Sequence, residues 1–277
     1  PWGGSKLSAA YGPTDPNAPG GEVLDASCLE DMPSSVCTAD GREVALSAFF
    51  AGRRAHLLGP NSVSMQFPFL VKRIDAGQDL SIQVHPDDEM ARLLDGAPHG
   101  KSEAWVVLDA EPGASVLLGL LPGTDRDELR KALIEGRVAS LMRRIPIRRG
   151  DILPVPAGAC HSIGKGTLIF ESQQSIDLTY RLYDWDRPDK DGKLRPLHID
   201  KGMAAVKLDL APEKALPEVI FDSSDLTIAR LVRMPQFEIR RFDIHGKATV
   251  ACGALHAVHG ISGEVSVTTS TGREVVS

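Results

Sequence analysis

Short apolar runs, each broken by a turn signal, constrain the fold of this chain more than any other feature of its sequence. From Phe67 onward they read FPFLVKRIDA, LSIQVHP, EAWVVLDA and SVLLGL, with Asp75-Ala-Gly77 and Glu111-Pro-Gly113 among the breaks. Runs of that length between Gly and Pro specify strands better than long helices. The supply of turn formers agrees: 26 glycines and 19 prolines in 277 residues. We therefore expect a mainly β protein in which helices are insertions. One insertion is TDRDELRKALIEGR, with Thr124 as N-cap, Asp125 and Asp127 in the first turn, Leu129, Ala132 and Leu133 on one face, and Gly136 as the stop. A second short helix is expected over VASLMRR, so that the insert spans about 124–144, and another around Leu46–Arg53.

Strand patterns return in RRGDILPVPAG and GTLIFESQQ. After the charged, turn-rich stretch YDWDRPDKDGKLRPLHIDKG they resume in TIARLVRM, FEIRRFDI, ALHAVHGIS and GEVSVTT. This divides the chain into three parts. Residues 1–64, rich in Gly, Pro, Ser and Asp, form an arm packing on the first β domain, residues 65–200. Residues 201–277 form a second β domain. The chain closes at GREVVS in mid-pattern and opens at Pro1, so an incomplete second domain and an earlier natural start are expected.

A hydrophobic fraction of 42% with 25% charged residues describes a soluble globular protein. The formal net charge of −6 excludes a broadly basic nucleic-acid face, though not a local basic pocket for an anionic metabolite. Cys28, Cys37, Cys160 and Cys252 show no C-x-x-C spacing and are too few for a disulfide scaffold. Reduced thiols in a cytoplasmic protein are the plain reading. No apolar run reaches the length of a membrane span.

The chemistry gathers in three segments. In SIQVHP, Ile82 and Val84 alternate with Gln83 and His85, so the two polar side chains share one strand face and can chelate one ion. In GKSEAW, Lys101 and Glu103 share a face by the same rule. In PAGACHS, a Pro-x-Gly turn delivers His161 to the start of a strand. Two imidazoles, a carboxylate and an amide oxygen suit a borderline divalent metal such as zinc; two histidines and a carboxylate also make the non-haem iron triad.

Spacing sharpens this. Gly77 precedes Gln83 with five residues between, His85 lies two further on, and Gly150-x5-Pro156-x-Gly158-x-x-His161 follows later. These resemble the two cupin signatures, G-x5-H-x-H…E and G-x5-P-x-G-x2-H. Gln83 stands for the first histidine, and the glutamate is displaced past an inserted segment. The departures, together with QVHPDDE, GKSE before an aromatic residue, PAGACHSIGKG and TYRLYDWDR, closely resemble the type I mannose-6-phosphate isomerases, especially their shorter bacterial branch. The resemblance starts at Pro1-Trp2-Gly3-Gly4 and is strong from Phe67 to Asp200.

That resemblance implies a double cupin of jelly-roll β-barrels, with the second roll incomplete and metal-free. It implies one zinc ion per chain on Gln83, His85, Glu103 and His161. It also implies reversible aldose–ketose isomerisation of mannose 6-phosphate and fructose 6-phosphate through a cis-enediol. Lys101 is the first choice for the proton carrier and Asp177 the second. Arg181, helped by Lys72, would hold charged oxygens of the substrate. The expected partner is a hexose phosphate, with no nucleic acid and no membrane, on a monomer or homodimer. The larger branch carries a histidine beside the lysine where this chain has Gly100, which leaves the ring-opening residue open; His99 reads as a loop histidine, with a substitute for that residue as the alternative. The rivals are a cupin isomerase or dioxygenase for another substrate, and a non-catalytic, metal-containing sugar-phosphate-binding cupin.

Overall fold

The computed structural model describes residues 2–11, 20–38, 40–58, 66–189, 191–250, 255–269 and 272–276. Cys252 lies outside them, and Cys28, Cys37 and Cys160 are free thiols. The chain opens with α1 (Lys6–Tyr11), β1 (Glu22–Ala26), the hairpin β2 (Ser35–Cys37) and β3 (Glu43–Ala45), then α2 (Leu46–Ala51) and α3 (Arg54–Leu58). The central block holds β4 (Phe69–Ala76), β5 (Ile82–Val84), α4 (Asp88–Asp95), β6 (Glu103–Ala110), β7 (Ser115–Leu120), α5 (Arg126–Ile134), a 3-10 turn (Val138–Leu141) and β8 (Met142–Pro146). It continues with β9 (Ile152–Val155), β10 (His161–Ile163), β11 (Thr167–Gln174), β12 (Tyr180–Tyr183) and α6 (Ile199–Ala205). Last come β13 (Glu218–Asp222), β14 (Leu226–Arg233), β15 (Glu238–Ile244), β16 (Val265–Thr269) and β17 (Gly272–Val276).

Two five-stranded antiparallel sheets form the roll, in the orders β1-β4-β11-β6-β9 and β12-β5-β10-β7-β8. The protein is mainly β, as expected, and the two sheets do not close into a barrel. Strand alternation decides what each face buries. Ile74, Trp105, Val107 and Ile169 of the first sheet pack with Val116, Leu118 and Ile163 of the second to make the interior. On the outside of the second sheet, Ile82, Val84, Leu117 and Leu182 pack under Leu129 and Leu133 of α5 and Met203 of α6. The residues between these, Gln83 and Arg181, are thereby directed away from the helices. Outside the first sheet, Ala104 and Ile152 pack on Ala229, Leu231 and Val232 of β14, in the separate sheet β13-β14-β15.

The N-terminal segment supplies an edge strand. β1 pairs with β4, opposing Leu24 to Lys72. The Asp75 carboxylate accepts from the Lys6 and Leu7 amides at 2.6 and 3.2 Å, fixing the start of α1.

Several local expectations are corrected. The N-cap of α5 is Asp125, whose carboxylate accepts from the Glu128 amide at 2.8 Å, and not Thr124, whose hydroxyl donates to Leu121 O. Gly136 does stop the helix, with φ 67°. In VASLMRR only Val138–Leu141 turns; Met142 onward is strand β8, paired to β7. In ALHAVHGIS, residues 255–262 form no strand. The connector after β12 contains α6, which sequence reasoning passed over because Gly202 interrupts its pattern. That glycine is needed: a Cβ there would stand 2.3 Å from Leu182 Cδ2. Among the described residues no helix is long and apolar enough to cross a membrane.

Candidate metal centre and the cleft beside it

Strand register assembles the site. In the second sheet, Arg181, Gln83, His161 and Leu118 lie side by side on adjacent strands. In the first, Gln173 pairs with Glu103, and one rung further Lys72, Glu171 and Trp105 line up across β4, β11 and β6. The next inward rung is Ile74, Ile169 and Val107. One half of the roll interior is thus apolar and the other holds ionisable groups.

His85, Glu103 and His161 are the buried heart of the polar half, and their donor atoms lie within 4.8 Å of one another. His85 Nε2 is 3.3 Å from Glu103 Oε2, and His161 Nε2 is 3.4 Å from Glu103 Oε1. Each imidazole is oriented from behind: His85 Nδ1 donates to Leu178 O and His161 Nδ1 to Ala159 O, both at 2.9 Å. Both Nε2 atoms then carry lone pairs. Burial, followed by the Lys101 charge, pushes the His85 pKa down to about 3, and burial lowers that of His161. Glu103 stays ionised: burial would raise its pKa, but Lys101, Nζ 3.1 Å away, leads the groups that hold it well below the usual carboxylate range.

Two neutral imidazole lone pairs therefore face a carboxylate, and His85 Nε2 and both Glu103 oxygens find no hydrogen-bond partner. Acceptors turned on acceptors in a buried site repel unless a cation lies between them. The donor set fits a divalent ion of zinc type. Gln83 completes the ring. Its Nε2 donates to His161 Nε2 at 3.3 Å, and half a turn about its last bond would direct the carbonyl oxygen inward.

A cleft of about 280 Å³ opens beside these residues, near the lower end of small-molecule sites. Gln83, Lys72, Lys101, Asp177 and Arg181 all line it. Lys101 is buried, its Nζ 3.9 Å from Glu171 Oε1. Lys72 is held between Glu22 and Glu171, 3.4 Å from each, and these carboxylates outweigh burial to keep its pKa raised. Asp177 is exposed at the rim, and Arg181 donates through Nη1 to Pro196 O at 3.1 Å. His99 lies off the cleft, its ring bound to Gly100 O at 2.9 Å. Cys160, beside His161, is a packing residue whose thiol burial pushes up to about 12.

Sequence reasoning missed four residues here. Glu171 is fully buried with its pKa raised, first by burial and then by the Glu103 charge, and its Oε2 accepts from Trp105 Nε1 at 2.9 Å. Trp105 also meets His161 edge-on at 5.5 Å. Glu22 and Arg195 complete the cleft wall. The place of Glu171 two residues after Ile169 on β11, and so on the same strand face, was the available signal for the first of these; nothing local marks the others.

Comparison with known proteins gives this arrangement its relatives. The family described as phosphomannose isomerase type I, catalytic domain, matches residues 1–104. The chain is 36% identical over 251 residues to the mannose-6-phosphate isomerase ManA of Bacillus subtilis, covering 90% of this chain and 78% of that one. It is 37% identical over 245 residues to the mannose-6-phosphate isomerase of Streptococcus mutans, covering 88% and 76%. The crystal structure of the Bacillus subtilis mannose 6-phosphate isomerase superposes with a TM-score of 0.80 at 31% identity, over 89% of this chain and 77% of that one. A mutant of the Salmonella typhimurium phosphomannose isomerase shares the fold at 16% identity, with a TM-score of 0.74 over 99% of this chain and 89% of that one. With relatives this similar over nearly its whole length, the chain belongs to the type I phosphomannose isomerase family.

Proposed function

We propose that this chain is a zinc-dependent aldose–ketose isomerase that interconverts mannose 6-phosphate and fructose 6-phosphate through a cis-enediol. The observation that carries the reading is the buried convergence of His85, Glu103 and His161, with His85 Nε2 and both Glu103 oxygens left without a hydrogen-bond partner, beside a cleft lined by lysine, arginine and carboxylate. Gln83, His85, Glu103 and His161 would hold one zinc ion, which when bound supplies Lewis acidity to a sugar oxygen.

The protein's own groups do the rest. Lys101 and Glu171, 3.9 Å apart and both buried, form a pair able to hold and move one proton beside the first two sugar carbons. Burial raises the Glu171 pKa toward the range useful to such a carrier. Lys72 sets the charge balance of that pair from the far side of Glu171. Asp177, exposed on the cleft wall, is the second candidate for that proton carrier. Arg181 offers a planar fork to anionic oxygens of the substrate. Trp105 fixes the Glu171 carboxylate and excludes water behind His161.

The test is a coupled assay with mannose 6-phosphate on protein stripped of metal and reloaded with one equivalent of zinc, manganese or iron, its content measured. Turnover restored by zinc supports the reading. A loaded protein that binds hexose phosphate without converting it would replace this reading with a binding function.

A further inference from the structure

Arg195 lines the cleft, and the mechanism above leaves it without a role. It lies in the connector between β12 and α6, whose next residues grip Arg181 from the side. Pro196 O accepts from Arg181 Nη1 at 3.1 Å, the His198 amide donates to Arg181 O at 2.7 Å, and the Arg181 amide donates to His198 Nδ1 at 3.1 Å. The segment therefore carries Arg195 to the Arg181 side of the cleft in a fixed relation to it.

The Arg195 guanidinium is oriented as firmly as its backbone. Its Nε donates to Asp184 Oδ2 and its Nη2 to Asp184 Oδ1, both at 2.6 Å. Asp184 is buried, and Arg187 Nη2 holds it from another side at 2.9 Å. This fork uses two of the three guanidinium nitrogens of Arg195. Its Nη1 makes no hydrogen bond among the described residues, and the side chain is a quarter exposed. Arg181 likewise spends Nη1 on Pro196 O, and its Nη2 makes no hydrogen bond among the described residues. The two guanidinium groups are close enough that Arg195, after burial, is the next cause lowering the Arg181 pKa. Like charges brought together in the wall of one cleft, each with an Nη to spare, make a site for a dianion. Lys72 is less suited, since Glu22 and Glu171 already neutralise it.

We propose that Arg195, splinted by Asp184, forms with Arg181 a two-guanidinium site for the phosphate monoester of the substrate and sets the preference for phosphorylated sugars. The inference rests on the isomerase reading for its substrate, but the anion site can be tested without turnover. The experiment compares full-length, zinc-loaded wild type with Arg195→Met and Arg195→Lys. It measures kcat and KM for mannose 6-phosphate, and the affinity of inorganic phosphate by calorimetry and by competition. Asp184 keeps Arg187 in both variants, so the fold has no buried carboxylate left bare; melting temperature and metal content verify this.

The expected result for Arg195→Met is a rise of about 10- to 100-fold in KM and in the phosphate dissociation constant. Its kcat stays within about threefold, and Arg195→Lys recovers part of the loss. Unmoved KM and phosphate affinity would overturn the proposal. So would a fall in kcat and metal content at constant KM, because a residue that merely braces Arg181 or the fold behaves that way. If wild type binds inorganic phosphate through Arg195 yet fails to isomerise mannose 6-phosphate, the isomerase reading fails and the anion site stands.

Discussion

Gly100→Ala measures how closely Lys101 must be held against the metal centre. The Gly100 amide donates to Asp88 Oδ1 at 2.8 Å, and the next amide, that of Lys101, donates to Pro86 O at 3.0 Å. A Cβ on residue 100 would stand 2.3 Å from Pro86 O, 2.4 Å from Asp87 C and 2.7 Å from Asp87 Cα. All three are backbone atoms, so no change of rotamer relieves them. Restoring a tolerable contact of about 3.3 Å requires the two segments to part by about 1 Å. One segment carries His85 immediately before Pro86, and the other carries Lys101 immediately after Gly100. Overpacking of this kind costs roughly 1–3 kcal/mol, and each kcal/mol lowers Tm by about 2–4 °C in a chain of this size. The functional effect is larger, because a misplacement of about 1 Å at reacting groups can cost about 100-fold in kcat. Gly96→Ala is the control. Gly96 has a left-handed backbone, φ 64°, which Gly100 lacks, but nothing lies within 4 Å of its added Cβ. It should lose roughly 1–2 kcal/mol to backbone strain and keep its kcat. Thermal melts and the mannose 6-phosphate assay decide the matter. Wild-type kcat and Tm in Gly100→Ala would refute the reasoning, and so would an equal loss of activity in Gly96→Ala.

Three further outcomes are expected. Glu103→Gln removes the one carboxylate between the two imidazoles. Wild type at a metal concentration 100-fold above its Kd should gain about 2.7 kcal/mol of stability, and the variant should show neither that thermal shift nor bound metal on elemental analysis. In metal-free protein, His85 is held neutral to about 3 while the unfolded chain takes up that proton near 6.5. The unfolded state binds more protons in that window, so stability falls on acidification by up to about 1.4 kcal/mol per pH unit. Urea midpoints in chelator between pH 7 and 4 should fall less steeply for His85→Asn, and an identical slope would contradict the burial argument. Trp105→Phe removes the indole N–H that lowers the Glu171 pKa and leaves a void in the interior. It should destabilise the protein by roughly 1–3 kcal/mol and move the acid limb of the pH–rate profile upward; an unmoved limb would separate Glu171 from the proton path.

Much of this protein follows from local pattern. Alternation of Ile82 and Val84 with Gln83 and His85 is enough to put the two polar groups on one face, because strand geometry has period two whatever the neighbours do. Pro156-x-Gly158 shapes the turn before His161 from its own backbone preferences, and Gly136 ends α5 because its φ of 67° is costly to other residues. Errors arose where two local signals competed. Thr124 and Asp125 are both good caps, and packing of Leu129 and Leu133 on the second sheet selects the frame in which Asp125 is the N-cap. The alternation in ALHAVHGIS promised a strand, but alternation alone supplies no partner for its backbone.

What only the tertiary structure decided is which distant residues meet. Lys72 faces Glu171 because β4 and β11 pair in one register, and a slip of either strand by one residue would turn its own side chain to the outer face. The local sequence around Lys72 is the same in either register, so its partner could not be read from it. Arg195 reaches Arg181 only because the connector folds back along β12 and a buried aspartate holds the guanidinium there. Local sequence sets which way a side chain points, since that depends on its own φ and ψ. Pairing of strands remote in the chain sets what it meets, because desolvation, charge and pKa belong to the assembled neighbourhood.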